Sequence, residues 1–166
     1  MIVPVFNEAG SLPQLHEELL GTLESIEGGF ELLYVDDGSR DESRDVLRSL
    51  RMGDRRVRVI CLRYQAGQTA ALAAGFELAR GEVLVPLDGD LQNDPADIPM
   101  LVARLDDGFD VVTGWRKDRQ DAWFLRRIPS IIANWLISQI TGVAVHDTGC
   151  TLKAFRSQLM KDRPLY

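Results

Sequence analysis

The 166-residue sequence predicts an α/β domain built on a mostly parallel β-sheet flanked by helices. Two observations carry this. Short apolar runs alternate with stretches of helical periodicity about ten residues long, as right-handed βαβ crossovers require. Each apolar run also ends abruptly on polar or charged side chains. In parallel sheets, ligands bind at the carboxyl ends of the strands, so these residues mark where function is to be sought.

Ile2 to Phe6 is the first apolar run. Ser11 then reads as an N-cap, and Gln14 completes a capping box ahead of the helical face Leu15, Leu19, Leu20 and Leu23. Phe30 to Val35 repeats the pattern. It leads into "DDGSRDE", where Ser39 and Glu42 form a second capping box before Val46, Leu47 and Leu50. Val57 to Leu62 is a third strand. Beyond "RYQAGQ", the alanine-rich "TAALAAGFELA" reads as a buried helix, and Val83 to Leu87 as a central strand. Asp94 and Pro95 fit the N-cap and first position of a helix carrying Ile98, Leu101, Val102 and Leu105. Asp110 to Thr113 makes a fifth strand, and Asp147, Thr148 and Gly149 a tight turn before one more short strand. No linker, low-complexity tract or repeat divides the chain, so residues 1–166 read as a single domain.

Composition sets outer bounds. With 45% hydrophobic and 27% charged residues the chain is an ordinary globular protein, neither disordered nor fibrous. A net charge of -6 argues against a nucleic-acid binder held by a broad basic surface. Cys61 and Cys150 form no CxxC or Cys/His cluster and read as reduced thiols of a cytoplasmic protein. The start "MIVPVFNE" lacks the form of a signal peptide, and no apolar run approaches the roughly 18 residues that span a bilayer.

The residues following the strands are Asn7 and Glu8, Asp36 and Asp37, Arg63, Asp88 and Asp90, and Arg116. In "LDGDLQNDP" the oxygens of Asp88, Asp90 and Gln92 are hard donors suited to Mg²⁺ or Mn²⁺; the alternative is a plain solvated turn. Asp36 and Asp37 are adjacent carboxylates at a strand end, one of which can accept from a ribose or base. The glycines build neither GxGxxG nor a Walker loop. Arg116, Lys117, Arg119, Arg126 and Arg127 read either as an anion site or as a solvated loop and helix start. Ile128, Ile131, Ile132, Trp135, Leu136 and Ile140 form a stripe that is either core or, beside those arginines and Trp123, a membrane-interface face. His16 reads as a structural histidine.

Taken together, "VPVFNE", "YVDDGSRD", "GQTAALAAGF", "LDGDLQNDP", "GWRKDR" and "HDTGCTLKAFR" resemble the family 2 glycosyltransferases of the GT-A fold. The resemblance is to the branch of dolichyl-phosphate mannose synthase and bacterial polyprenyl-phosphate glycosyltransferases. It implies metal-dependent transfer, with inversion, of a hexose from a nucleotide diphosphate sugar of the GDP-mannose or UDP-glucose type to a polyprenyl or dolichyl phosphate. By the same resemblance Pro4, Asn7, Glu8, Asp36, Asp37, Gly67 and Gln68 hold the nucleotide. Asp88, Asp90 and Gln92 hold Mg²⁺ or Mn²⁺, Asp88, Asp90 and Arg116 are catalytic, and Arg116, Arg126, Arg127 and Asn134 take the acceptor phosphate. Gln65 stands where relatives often have asparagine, and Ile131 where a basic residue is common. The resemblance further implies a catalytic domain truncated at both ends, acting in the cytoplasm with peripheral contact to its membrane face. Alternatives are a nucleotide-sugar-binding module without turnover and a transferase with a saccharide acceptor. A haloacid-dehalogenase-like phosphotransferase fits less well, because its Asp-x-Asp lies near the N-terminus.

Overall fold

The computed structural model describes residues 1–114 and 152–161. Side chains that alternate in direction along the strands divide the core into two layers. Strands β1 (Ile2–Val5), β2 (Leu32–Asp36) and β3 (Val57–Cys61) pair in parallel, in the order β1-β2-β3. From these strands Val3, Val5, Leu32, Tyr34 and Val57 face one side. There they bury Leu12, Leu15 and Leu19 of α1 (Leu12–Leu23), Leu47 of α2 (Ser43–Gly53), and Ile98, Leu101 and Leu105 of α4 (Ile98–Asp106). Ile2, Leu33 and Val35 face the other side, against Ala71 and Phe76 of α3 (Gln68–Leu78). Because both faces are covered, the strands read in sequence as continuous apolar runs.

Gly75 lets α3 lie close on the sheet: a Cβ there would overlap the Ile2 side chain. Beyond β3, α3 crosses back over the sheet, and the next strand lies on the far side of β1. The segment predicted as one strand from Val83 to Leu87 divides its pairing. Its start, β4 (Val83–Leu84), runs antiparallel to β6 (Lys153–Arg156). Its end joins β1 in parallel: Ile2 N–H donates to Val85 O at 2.9 Å and Leu87 N–H to Ile2 O at 3.0 Å. Strand β5 (Val111–Thr113) pairs antiparallel with the other edge of β6. The strand order across the molecule is therefore β3-β2-β1-β4-β6-β5, and β6, the short strand expected near the C-terminus, is the antiparallel member. A short helix, α5 (Ser157–Lys161), follows it.

Both expected capping boxes are absent. Ser11 stands at the N-cap position of α1, but its hydroxyl makes no cap bond, and the Gln14 amide turns to Glu18. Helix α2 starts at Ser43, beyond Ser39, whose hydroxyl accepts from Asn7 N–H instead. In each case a long-range acceptor or donor competes successfully for the hydroxyl. The third expected cap does form: Asp94 Oδ1 accepts from Ala96 N–H at 2.9 Å, ahead of a 3₁₀ turn at Pro95–Asp97 that runs into α4.

Candidate active site

The chain turns one way from β1 to β2 and β3, then reverses to reach β4, so the carboxyl ends of β1 and β4 flank a topological switch point. A cleft of about 330 Å³ opens there. Pro4, Phe6, Glu8, Asp37, Gly67, Gln68, Asp88 and Asp90 line it, with Val5, Gln65 and Gly89. A larger cavity, about 430 Å³, lies at the opposite rim among Phe30, Leu84 and Ile98. It faces the amino ends of the strands, away from the Asp-Gly-Asp turn, so the smaller cleft is the candidate site.

The loop after β1 is stitched to the loop after β2. Asn7 adopts a left-handed backbone, φ 59°, which asparagine tolerates better than most residues. Its N–H donates to Ser39 Oγ at 3.0 Å, and its Oδ1 accepts from Arg40 N–H at 2.8 Å. Glu8 N–H donates to Ser43 Oγ at 2.9 Å. These bonds hold Glu8 at the lip of the cleft.

The adjacent aspartates take different jobs because successive side chains leave a strand on opposite sides. Asp36 is fully buried. Its Oδ1 accepts from Ser39 N–H at 3.0 Å, and its Oδ2 pairs with Arg44 Nε at 2.6 Å. The hydrogen bond and charge of that carboxylate raise the Arg44 guanidinium above its ordinary pKa. Asp36 thus braces the β2–α2 turn from within and does not line the cleft. Asp37 does line it, and its two oxygens accept from Ala66 N–H at 2.7 Å and Gly67 N–H at 2.8 Å. Gly38, with φ 76°, lets the same loop close in: a Cβ there would lie 2.8 Å from Gln65 N.

That loop delivers Gln68, whose Nε2 donates to Asp88 Oδ1 at 2.6 Å. On the other side Ser11 Oγ donates to Gly89 O at 2.8 Å. The Asp-Gly-Asp turn is therefore held from α1 and from α3. Asp90 Oδ1 accepts from Gln92 N–H at 3.1 Å, and Leu91 between them has φ 61°.

Of the expected site residues, the structure brings Pro4, Glu8, Asp37, Gly67, Gln68, Asp88 and Asp90 to one cleft. Asn7 and Asp36 support its walls, and Gln92 is exposed outside the lining. Arg116, Arg126, Arg127, Asn134, Cys150 and the stripe from Ile128 to Ile140 lie outside the described residues. Two contributors escaped the sequence reading. Phe6 is indistinguishable there from the apolar end of a strand, and Ser11 carries the signal of an ordinary cap.

The donor set fits a hard divalent cation shared with a substrate. Among the described residues no group of three or more His, Cys, Asp or Glu side chains is arranged as a metal cage. Two carboxylates at one turn are what Mg²⁺ needs from a protein when phosphate oxygens complete its shell.

The sheet and its flanking helices have the GT-A fold, as superposition on solved structures shows. Glucosyl-3-phosphoglycerate synthase from Mycobacterium tuberculosis, solved with UDP, superposes with a TM-score of 0.71 over 95% of this chain and 56% of its own, at 20% identity. The same enzyme with Mn²⁺, UDP-glucose and phosphoglyceric acid gives a TM-score of 0.72. The chain belongs to glycosyl transferase family 2, whose model matches residues 1–163.

A dodecaprenyl-phosphate galacturonate synthase of Rhizobium johnstonii is 44% identical over 163 residues, covering 97% of this chain and 48% of the relative. An undecaprenyl-phosphate 4-deoxy-4-formamido-L-arabinose transferase of Edwardsiella ictaluri is 43% identical over 163 residues, covering 97% of this chain and 50% of the relative. The chain thus spans about half the length of these relatives.

Proposed function

We propose that this chain is the nucleotide-sugar-binding part of a metal-dependent, inverting glycosyltransferase that moves a sugar from a nucleotide diphosphate donor to a polyprenyl phosphate. The observation that carries the proposal is the convergence of Asp88 and Asp90 with Glu8 and Asp37 in one cleft at the β1/β4 switch point. The names of the relatives, both transferases to polyprenyl phosphates, support the acceptor class.

Asp88 and Asp90 would hold Mg²⁺ or Mn²⁺, which when bound offsets charge on the departing nucleotide diphosphate. Pro4, Phe6, Glu8, Asp37 and the Gly67–Gln68 corner form the walls against which the nucleotide lies. The Gln68 amide keeps the metal-holding turn in place before ligand arrives, so less reorganisation is needed on binding. A phosphomonoester acceptor, with a second pKa of about 6, is already largely ionised at neutral pH. It requires orientation more than a strong base. Arg116, Arg126, Arg127 and Asn134 are assigned that orienting task. Such an acceptor resides in a membrane, and the protein would meet it peripherally at the cytoplasmic face. Among the described residues no helix is long and apolar enough to cross a bilayer.

Calorimetry with UDP, GDP and their sugars should show binding only when Mg²⁺ or Mn²⁺ is present. Asp90→Ala should abolish that metal dependence together with most of the affinity; equal binding by the variant would sink the metal assignment. Radiolabelled donor should pass its sugar into a chloroform-soluble polyprenyl phosphate product. A water-soluble product alone would move the acceptor to another class.

A further inference from the structure

Ser11 occupies the position where a serine normally accepts a hydrogen bond from the first turn of a helix, and it makes no such bond. Its hydroxyl turns toward the cleft instead. Oγ lies 2.8 Å from Gly89 O, 2.9 Å from Glu8 Oε2 and 3.2 Å from Glu8 O. A hydroxyl has one proton to donate, and it faces acceptors on both sides of the switch point. Glu8 follows β1; Gly89 is the middle residue of the Asp-Gly-Asp turn, 78 residues beyond Ser11. Gly89 itself lies beside β1, where a Cβ would stand 3.4 Å from Pro4 O. Just beyond it Leu91 holds a left-handed backbone, φ 61°, a conformation that persists in a leucine only where surrounding contacts impose it.

We infer that Ser11 is a positioning residue for the metal-holding turn: by hydrogen-bonding Gly89 O while touching the Glu8 carboxylate, it fixes the turn's carboxylates relative to the nucleotide wall. The inference rests on the metal role given above to Asp88 and Asp90. Because Ser11 contributes no cap bond, removing its hydroxyl should loosen the turn and leave α1 as it is. A cap would behave in the opposite way.

The test uses Ser11→Ala and Ser11→Thr, the second retaining the hydroxyl. In metal-free protein, hydrogen exchange should quicken in Ser11→Ala at the Asp88–Gln92 segment, the Gln92 amide above all, and stay unchanged across Leu15–Leu23. Calorimetry with Mn²⁺ and UDP, and with Mn²⁺ and GDP, should show binding weakened roughly three- to tenfold, the range one lost hydrogen bond produces. Ser11→Thr should restore both readouts. Faster exchange throughout α1 would make Ser11 a helix-stabilising residue and overturn the inference. So would unchanged turn exchange and unchanged Mn²⁺-dependent binding in Ser11→Ala. If the unaltered protein binds neither nucleotide in a Mn²⁺-dependent way, the metal assignment fails and the role of Ser11 falls with it; normal binding there with an indifferent Ser11→Ala overturns the role of Ser11 alone.

Discussion

Asp37→Asn separates a ligand-binding carboxylate from one that builds the cleft. Asp37 is 4% exposed, and its two oxygens accept from Ala66 N–H at 2.7 Å and Gly67 N–H at 2.8 Å. Asparagine keeps one acceptor and turns an NH₂ group toward the other N–H, so one charge-assisted bond is lost and two donors confront each other. A hydrogen bond to a charged group contributes about 1.5–3 kcal/mol. Ala66 is exposed, so water can reach the stranded N–H, and the lower end applies, about 1.5–2 kcal/mol. For a domain of this size that corresponds to a fall in Tm of roughly 3–8 °C. Calorimetric melting of ligand-free protein measures it, and hydrogen exchange should quicken at Ala66, Gly67 and Gln68 together. A Tm within about 1 °C of the unaltered protein with unchanged exchange at those amides would refute the bracing role and leave Asp37 as a nucleotide ligand only.

Gly38→Ala must place a Cβ at φ 76°, within 2.8 Å of the Gln65 backbone. The left-handed backbone alone costs about 1–2 kcal/mol, so urea denaturation should show at least that loss, with metal-dependent nucleotide binding weakened as the Gln68 corner shifts. His16, buried with Nδ1 3.0 Å from Tyr34 Oη, is held below its ordinary pKa of 6.5, chiefly by desolvation. The unfolded chain therefore takes up this proton more readily than the folded one. The stabilising contribution is complete above pH 6.5 and shrinks as pH falls from there toward the folded-state pKa. Urea midpoints measured from pH 7 down to about 5 should decline, and the decline should be shallower in His16→Gln; parallel slopes would exclude His16 as the source.

Local chemistry and periodicity were enough to place the strands and the helices α1 to α4, though not the short α5, because each apolar run and each long helical face is a nearest-neighbour property of the chain. The same holds for the Asp94 cap, whose partner is two residues away. The carboxyl-end rim followed from the βαβ alternation, and with it Glu8, Asp37, Asp88 and Asp90 as cleft residues. Ser11 holds its expected N-cap position without making a cap bond, and Ser39 lies ahead of α2, because a hydroxyl bonds to whichever partner the fold brings nearest, here Gly89 O and Asn7 N–H.

What the sequence determined by itself is the α/β class and the chemistry waiting at the strand ends. What only the tertiary structure decided is which of those groups meet. Asp36 and Asp37 are indistinguishable as letters; strand alternation and the Arg44 guanidinium turn the first inward, while Ala66 and Gly67 claim the second. The pairing of Val83–Leu87 with β6 at one end and β1 at the other is likewise a long-range choice. Apart from Arg44, eight residues from Asp36, such partners lie tens of residues apart, and their contacts exist only once the sheet has closed the distance.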